Sequence, residues 1–354
     1  MVTVSAGPRV PRDALWRLLR PRSVAVVGAS ETSFSAGVRA MLQRDFDLFL
    51  VNPTRSELFG RKTYPDLLTI GAPVDAVLSL VSAERSVDVV SSAAKLHVGG
   101  VVIFAAGFAE SGTEGALLQD ALCRAAGDRM AVLGPNCVGL MGVQRGTILA
   151  TVSVPALPGG VALISHSGGF IHSVALAADE RGVGLSHLIT CGNEALTDMV
   201  DYLELLTEDS ETRVICLVIE KMRRPDAFVR AAAAARAAGK PILALKLGRG
   251  VRARRIAQSH TGALVGDCAA YDAVFEQLGI IAVRDVAEML DRASLFERLA
   301  PSHWTRARGV AFISGSGGSA SLVSDICEQE QLQLPSLHEL QEPLAADLGV
   351  GGTA

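Results

Sequence analysis

The stretch Gly160-Val161-Ala162-Leu163-Ile164-Ser165-His166-Ser167-Gly168-Gly169 decides the fold. An apolar run of strand length breaks into a short turn of hydroxyls and glycines, and a helix-length segment, Phe170–Glu180, follows. That order is the opening of a strand–turn–helix unit in a parallel sheet. The same opening returns one domain length downstream at Gly309-Val310-Ala311-Phe312-Ile313-Ser314-Gly315-Ser316-Gly317-Gly318, matching at most positions, which reads as duplication of a doubly wound unit. A simpler version stands upstream at Val24-Ala25-Val26-Val27-Gly28-Ala29-Ser30.

Around these openings, strands are expected at 24–28, 48–51, 74–81, 100–104 and 130–133, with helices near 35–44, 86–96 and 113–126. Thr151–Gly160, with two prolines and two glycines, reads as a linker. Beyond it come strands at 161–165, 187–190, 214–220, 241–246 and 280–283, a helix at 225–238 and a closing helix at 285–299. The expected fold class is α/β: a Rossmann-like domain over 1–150, a flavodoxin-like domain over 151–303, and the start of a second, incomplete flavodoxin-like domain over 304–354. The composition agrees, being 49% hydrophobic but only 5% aromatic with 35 glycines, which suits parallel sheets joined by tight turns.

Other classes are excluded by composition. Net charge is −4, and the only basic run, Arg252, Arg254 and Arg255, is too small to hold a nucleic acid. No apolar run approaches membrane-spanning length. Met1–Arg22 is a proline- and arginine-bearing lead-in without the apolar core of a signal peptide. The six cysteines lack metal or redox spacing and fit free thiols in a reducing cytoplasm.

Chemistry is expected at the carboxyl ends of the strands. Gly28-Ala29-Ser30-Glu31-Thr32-Ser33 lacks the second and third glycines of a nicotinamide dinucleotide loop, which argues against a dehydrogenase and for another phosphorylated adenosine ligand. Asn52-Pro53, Gly107-Phe108-Ala109-Glu110 and Gly134-Pro135-Asn136-Cys137 end later strands and would line the same cleft. Ser165, Ser167, Gly168 and Gly169 open a helix, where free N–H groups and the positive dipole end suit an anion; the bland alternative is an ordinary serine N-cap. Glu220 ends an apolar strand, placed either to orient an imidazole or to pair with Lys221 or an arginine. Asn193, in Cys191-Gly192-Asn193-Glu194, is placed to orient a substrate. The segment Gln258-Ser259-His260-Thr261-Gly262 sets one imidazole among hydroxyls and glycine, a combination suited to accepting a phosphoryl group or simply to a titrating loop histidine.

In order and spacing these motifs resemble the NDP-forming acyl-CoA synthetase family, which includes the ADP-forming acetyl-CoA synthetases and the alpha subunit of succinyl-CoA synthetase. The match runs through Pro21–Ser30, Val51-Asn52-Pro53, Gly107–Glu110, Gly134–Cys137, Ser165-x-Ser167-Gly168, Cys191–Glu194, Lys246-x-Gly248-Arg249 and Ser259–Gly262. The resemblance implies a phosphohistidine at His260, oriented by Glu220. It implies phosphoryl contacts at Ser165, Ser167, Gly168, Gly169, Ser259, Thr261 and Gly262. It implies CoA contacts at Gly28, Ser30, Glu31, Thr32, Ser33, Asn52, Pro53, Arg55, Phe104, Ala105, Ala106, Gly107 and Asn136. No metal ligand is expected in this chain; ATP or ADP and Mg2+ are expected on an ATP-grasp module, which the chain lacks, so a partner subunit or further domain and an oligomeric assembly are implied. The substrate would be a small acid or its acyl-CoA. His166 departs from the glutamine usual in the family, Ser82 from a proline and Lys221 from a glycine. A non-catalytic CoA-sensing module is the alternative, against which the retention of His260 counts.

Overall fold

The apolar runs of the sequence become two seven-stranded sheets. The computed structural model describes residues 10–250, 252–253, 268–299 and 310–334. The first sheet contains β1 (Ser23–Val27), β2 (Asp47–Val51), β3 (Glu57–Leu58), β4 (Arg61–Tyr64), β5 (Ala76–Ser79), β6 (Gly100–Ile103) and β7 (Ala131–Leu133). Their spatial order is β3-β4-β2-β1-β5-β6-β7, all parallel except the edge pair β3–β4. The sheet reverses its winding between β1 and β5, the crevice where doubly wound folds take ligands.

The second sheet contains β8 (Gly139–Gly142), β9 (Thr147–Ala150), β10 (Pro158–Ser165), β11 (Leu185–Thr190), β12 (Val214–Ile219), β13 (Ile242–Lys246) and β14 (Ile281–Val283). The order is β14-β13-β12-β10-β11-β8-β9. The five later strands are parallel in flavodoxin-like order, and β10 and β12 meet at the switch point. β10, β12 and β13 are buried along nearly their whole length, as expected for strands covered on both faces.

Helices cover these sheets: α1 (Arg12–Leu19), α2 (Ser35–Met41), α3 (Ala83–Lys95), α4 (Thr113–Ala126), α5 (Gly168–Glu180), α6 (Met199–Glu208), α7 (Pro225–Ala237), α8 (Cys268–Leu278) and α9 (Val286–Arg298). Their apolar stripes face inward, as with Val89, Val90 and Ala93 of α3.

The structure departs from the sequence reading at several places. The lead-in carries a helix: Leu15, Leu18 and Leu19 of α1 are buried against the first unit's core. The hairpin β8–β9, read as the end of the first domain, hydrogen-bonds into the second sheet, antiparallel to β11. Gly37 of α2 lies against it so closely that a Cβ there would stand 2.0 Å from the Ala150 carbonyl oxygen. The segment read as a linker ends inside β10, which begins at Pro158.

Residues 1–298 form one compact unit and 299–354 another. In the second unit the described segment 310–314 is not a strand, although Val310 donates to the Gln333 carbonyl at 2.9 Å. It leads to helix α10 (Gly317–Gln329).

Candidate functional site

Two turns at the carboxyl edges of the sheets supply most of the expected site residues. The first follows β1. Gly28 adopts φ +84°, and a Cβ on it would stand 2.8 Å from the Val81 side chain, so the backbone of β1 passes close to the chain leaving β5. The Ser30 hydroxyl accepts from the N–H groups of Thr32 and Ser33, each at 3.2 Å. Asn52 donates to the Ala29 carbonyl at 3.0 Å, and its own carbonyl accepts from Thr54 and Arg55. Glu31 accepts from the Phe59 N–H at 2.8 Å. Pro53 and Arg55 are exposed beside this turn. Phe34, itself exposed, stacks edge-on against Phe104 at 4.5 Å between ring centres. The result is an exposed turn with an aromatic face and a guanidinium, that of Arg55, that pairs with no described residue.

The second turn follows β10. The Ser165 hydroxyl donates to the Ser167 carbonyl at 2.9 Å and accepts from the Ser167 N–H at 3.0 Å. Ser167 is the N-cap of α5, yet its side chain caps nothing, and no acidic residue stands in the first turn of that helix. The first N–H groups of α5 therefore lack the usual side-chain acceptor, and the positive end of the dipole is not offset locally. Gly169 has open space where a Cβ would be, so backbone is what the turn presents.

Glu220 lies across the switch point from this turn. Its N–H donates to Nδ1 of His166 at 3.2 Å. Its carbonyl accepts from the buried Lys246 ammonium at 2.9 Å, and that ammonium stands 4.9 Å over the Tyr271 ring. The Tyr271 hydroxyl in turn accepts from the Met222 N–H. The backbone of Glu220 is thus fixed from several sides, while its carboxylate takes no hydrogen bond or ion pair from any described residue, Lys221 included. Arg249 forms a two-pronged pair with Asp272, which ties the chain leaving β13 to α8.

A cleft of about 340 Å3 lies between the chain leaving β6 and β7 and the turn after β10; the turn after β1, with Asn52, Pro53 and Arg55, does not line it. Its walls include Phe104, Ala106 and Asn136 from the first sheet and Ser167, Gly168, Gly169, Asn193 and Glu220 from the second. Asn193 is not a loose side chain. Its amide donates to Glu110 and to Gln119, and its carbonyl accepts from Asn136 at 3.4 Å. Glu110 also accepts from the N–H groups of Gly107 and Phe108. Burial works against its carboxylate, but the Asn193 amide and these N–H groups leave its pKa below the ordinary value. Cys137 lines the cleft as well, with its thiol pushed up to about 12 by burial, so it offers no thiolate nucleophile.

The sequence reading missed the residue that braces the second turn. The His166 ring bridges Glu220 and Glu194, and its Nε2 lies 3.0 Å from Oε1 of Glu194. Those partners are far apart in sequence, and only a histidine inside an otherwise small-residue turn hinted at them. Ser259, His260, Thr261 and Gly262 lie outside the described residues.

Family models match both halves of this unit: a CoA binding domain over residues 22–143 and a succinyl-CoA ligase like flavodoxin domain over residues 158–296. The alpha subunit of acetate–CoA ligase [ADP-forming] II from Pyrococcus furiosus is 32% identical over 324 residues, covering 90% of this chain and 70% of that subunit. The chain belongs to the ADP-forming acyl-CoA synthetase family. Among solved structures, acetyl-coenzyme A synthetase 1 of Ca. Korarchaeum cryptofilum, in complex with phosphate and ADP, superposes with a TM-score of 0.82 at 28% identity, covering 91% of this chain and 70% of that one. Acetate–CoA ligase [ADP-forming] I of Archaeoglobus fulgidus is 33% identical over 94% of this chain but only 49% of its own length. The chain spans about half the length of that and similar curated relatives.

Among the described residues, one group of side chains has ligand atoms close enough to hold a metal ion. His187, Asp209 and Glu211 bring their ligand atoms within 4.8 Å of one another. Arg20 and Arg145 already pair with its two carboxylates, which makes it a poor cation site. No helix among the described residues is long and apolar enough to cross a membrane.

Proposed function

We propose that the chain is the alpha-type portion of an NDP-forming acyl-CoA synthetase, which binds CoA on its first sheet and relays a phosphoryl group through His260. The observation that carries this reading is the cleft: Phe104, Ala106 and Asn136, expected at CoA, line one cavity with Ser167, Gly168, Gly169 and Glu220, expected at the phosphoryl group, beside the switch point of the second sheet, where doubly wound folds bind ligands. The division into 1–150, 151–303 and 304–354 belongs to this proposal, with the β8–β9 hairpin at the end of the first segment completing the second sheet.

CoA fits the first turn. The hydroxyls of Ser30, Thr32 and Ser33, with Gly28, Glu31, Asn52 and Pro53 around them, would receive the diphosphate, and Arg55 its negative charge. Phe104, Ala105, Ala106, Gly107 and Asn136 would lead the pantetheine arm toward the second turn. There, Ser165, Ser167, Gly168 and Gly169 would hold orthophosphate against the free N–H groups of α5. Phosphate oxygen attacks the thioester carbonyl, the C–S bond breaks, and acyl phosphate and CoA thiol result. The His260 imidazole then attacks phosphorus, the P–O bond to the acyl group breaks, and a carboxylate leaves. Fixed N–H groups stabilise the charge that develops on the transferring oxygens. Glu220, whose carboxylate is unclaimed among the described residues, would hold the far nitrogen of that ring, and Ser259, Thr261 and Gly262 would contact the phosphoryl group. Asn193 would orient the acyl group. The nucleotide, its Mg2+ and the final transfer to NDP belong to an ATP-grasp subunit or segment, assembled with this chain as an oligomer. The six free cysteines suit a reducing cytoplasm.

The test is labelling of the chain with radioactive acetyl phosphate, the smallest acyl phosphate, beside calorimetry with CoA. Expected are CoA binding and an acid-labile label that a His260→Asn variant lacks. Label retained by that variant sinks the relay. CoA binding with no label in either chain points instead to a CoA-sensing module.

A further inference from the structure

His166 has no task in the reaction as written, yet both nitrogens of its ring are held. Only 7% of the side chain is exposed. Nδ1 accepts the Glu220 N–H, so the neutral ring carries its proton on Nε2 and donates it to Glu194. The same Glu194 oxygen accepts from the N–H of Met199, the first residue of α6, at 2.8 Å. One imidazole thus joins the turn after β10, the end of β12 and the start of α6, and it lines the cleft beside Ser167, Gly168 and Gly169.

The charged groups around it are few. The carboxylates of Glu194 and Glu220 face the ring. The Arg223 guanidinium donates to the Glu194 carbonyl, and the Lys246 ammonium to the Glu220 carbonyl. The nearby Cys137 thiol stays neutral. Burial pushes the imidazole pKa down, but the Glu194 carboxylate, by charge and hydrogen bond, and the Glu220 carboxylate leave it raised above the ordinary histidine value.

We propose that His166 is a positioning residue through which the anion cradle takes up a proton as it fills. An anion at Ser165–Gly169 adds negative charge beside two carboxylates, and a proton on the ring offsets it. The proton comes from solvent and binds Nδ1, no heavy-atom bond is made or broken, and the Glu220 N–H is released. The Val218 carbonyl beside the ring, which accepts the His166 backbone N–H at 3.3 Å, can then accept from Nδ1. Coupling is reciprocal: the anion raises proton affinity, and acid pH raises anion affinity to the same degree. The inference rests on the reading of this turn as an anion cradle.

The experiment uses the full chain in a His260→Asn background, so that the loop imidazole gives no signal. Inorganic sulfate is the probe, because its charge is constant between about pH 6 and 9 while that of phosphate is not. Calorimetry in two buffers of different ionisation heat counts the protons taken up with each sulfate. At most about 0.4 of a proton is expected, with binding about fivefold tighter at pH 6 than at pH 8.5, the low end of ordinary couplings. A His166→Gln change keeps an acceptor and a donor at similar reach without titrating. It should bind sulfate with no uptake and no pH dependence. Uptake that survives this change, or sulfate binding without uptake in the parent, overturns the inference and leaves the cradle standing. No sulfate binding at any pH overturns both. Should the glutamine variant not fold, nitrogen-15 spectra of the parent's histidines decide: one Nε2-protonated imidazole should gain pKa with sulfate, and imidazoles that all stay unmoved end the proposal.

Discussion

In the turn after β10, the Ser165 hydroxyl bonds the Ser167 carbonyl and N–H at 2.9 and 3.0 Å. In the turn before α10, Ser314 does the same to Ser316 at 3.3 and 3.1 Å. The shared Ser-x-Ser-Gly-Gly sequence therefore makes the same local loop twice. Beyond that loop the two diverge. Ser316 caps its helix by accepting from the Ser319 N–H, whereas Ser167 leaves the first N–H groups of α5 without a side-chain acceptor. Ser165 is wholly buried and Ser314 exposed. Between the serines stand His166 in one and Gly315 in the other, and only His166 reaches partners elsewhere in the fold. The motif makes the turn; the free donors and the brace from outside distinguish the first copy from the second.

The brace is where the largest effects should fall. Arg224 pairs with Asp198 and Asp201, the capping box of α6, whose first N–H Glu194 holds. Arg224→Leu leaves two buried carboxylates without their cation and should cost about 3–5 kcal/mol of unfolding free energy, read by urea titration. Asp201 adds a pH dependence. Burial, and then the Asp198 charge, push its pKa up to about 6 in spite of Arg224. A raised acid favours its protonated form in the folded state, so that contribution is whole below the ordinary aspartate value and fades as pH climbs through about 6. The variant's deficit should therefore be smaller at pH 5 than at pH 8. An equal deficit at both would mean that Asp201 does not titrate there.

Gly192→Ala strikes the turn that carries Asn193 and Glu194. The residue sits at φ +57°, and a Cβ there would stand 2.2 Å from the Pro135 carbonyl oxygen. Two backbones would have to part, at about 2–4 kcal/mol from strain and overpacking together. Thermal unfolding checks the cost. If the brace sets the cradle, sulfate affinity at the Ser165 turn should fall as well; an unchanged affinity would detach the two.

Much of the fold was legible because parallel strands buried on both faces announce themselves as apolar runs, and Thr113–Ala126 appears as a helix with the expected bounds. The hairpin β8–β9 was not: its short strands carry no period that says which sheet they join, and Gly37 against Ala150 is a contact no local pattern encodes. The site divides the same way. The strand-to-helix turn of Ser165, Ser167, Gly168 and Gly169 was readable, since its pattern lies within one short stretch. The His166 bridge was not, because its partners stand 28 and 54 residues away and meet it only through the order β11-β10-β12.

The smallest effects sharpen the comparison from within the shared motif. Ser165→Ala removes a buried hydroxyl that serves both a donor and an acceptor of Ser167, and should cost about 1–2 kcal/mol of stability. Ser314→Ala removes the same two bonds where water can replace them, and should change stability by less than about 0.5 kcal/mol. Both variants are read by thermal unfolding, with hydrogen exchange along α5 and α10 to localise the change. If Ser314→Ala proves as costly as Ser165→Ala, the second turn is as enclosed as the first, and Gly315 rather than exposure would have to explain why it lacks a clamp.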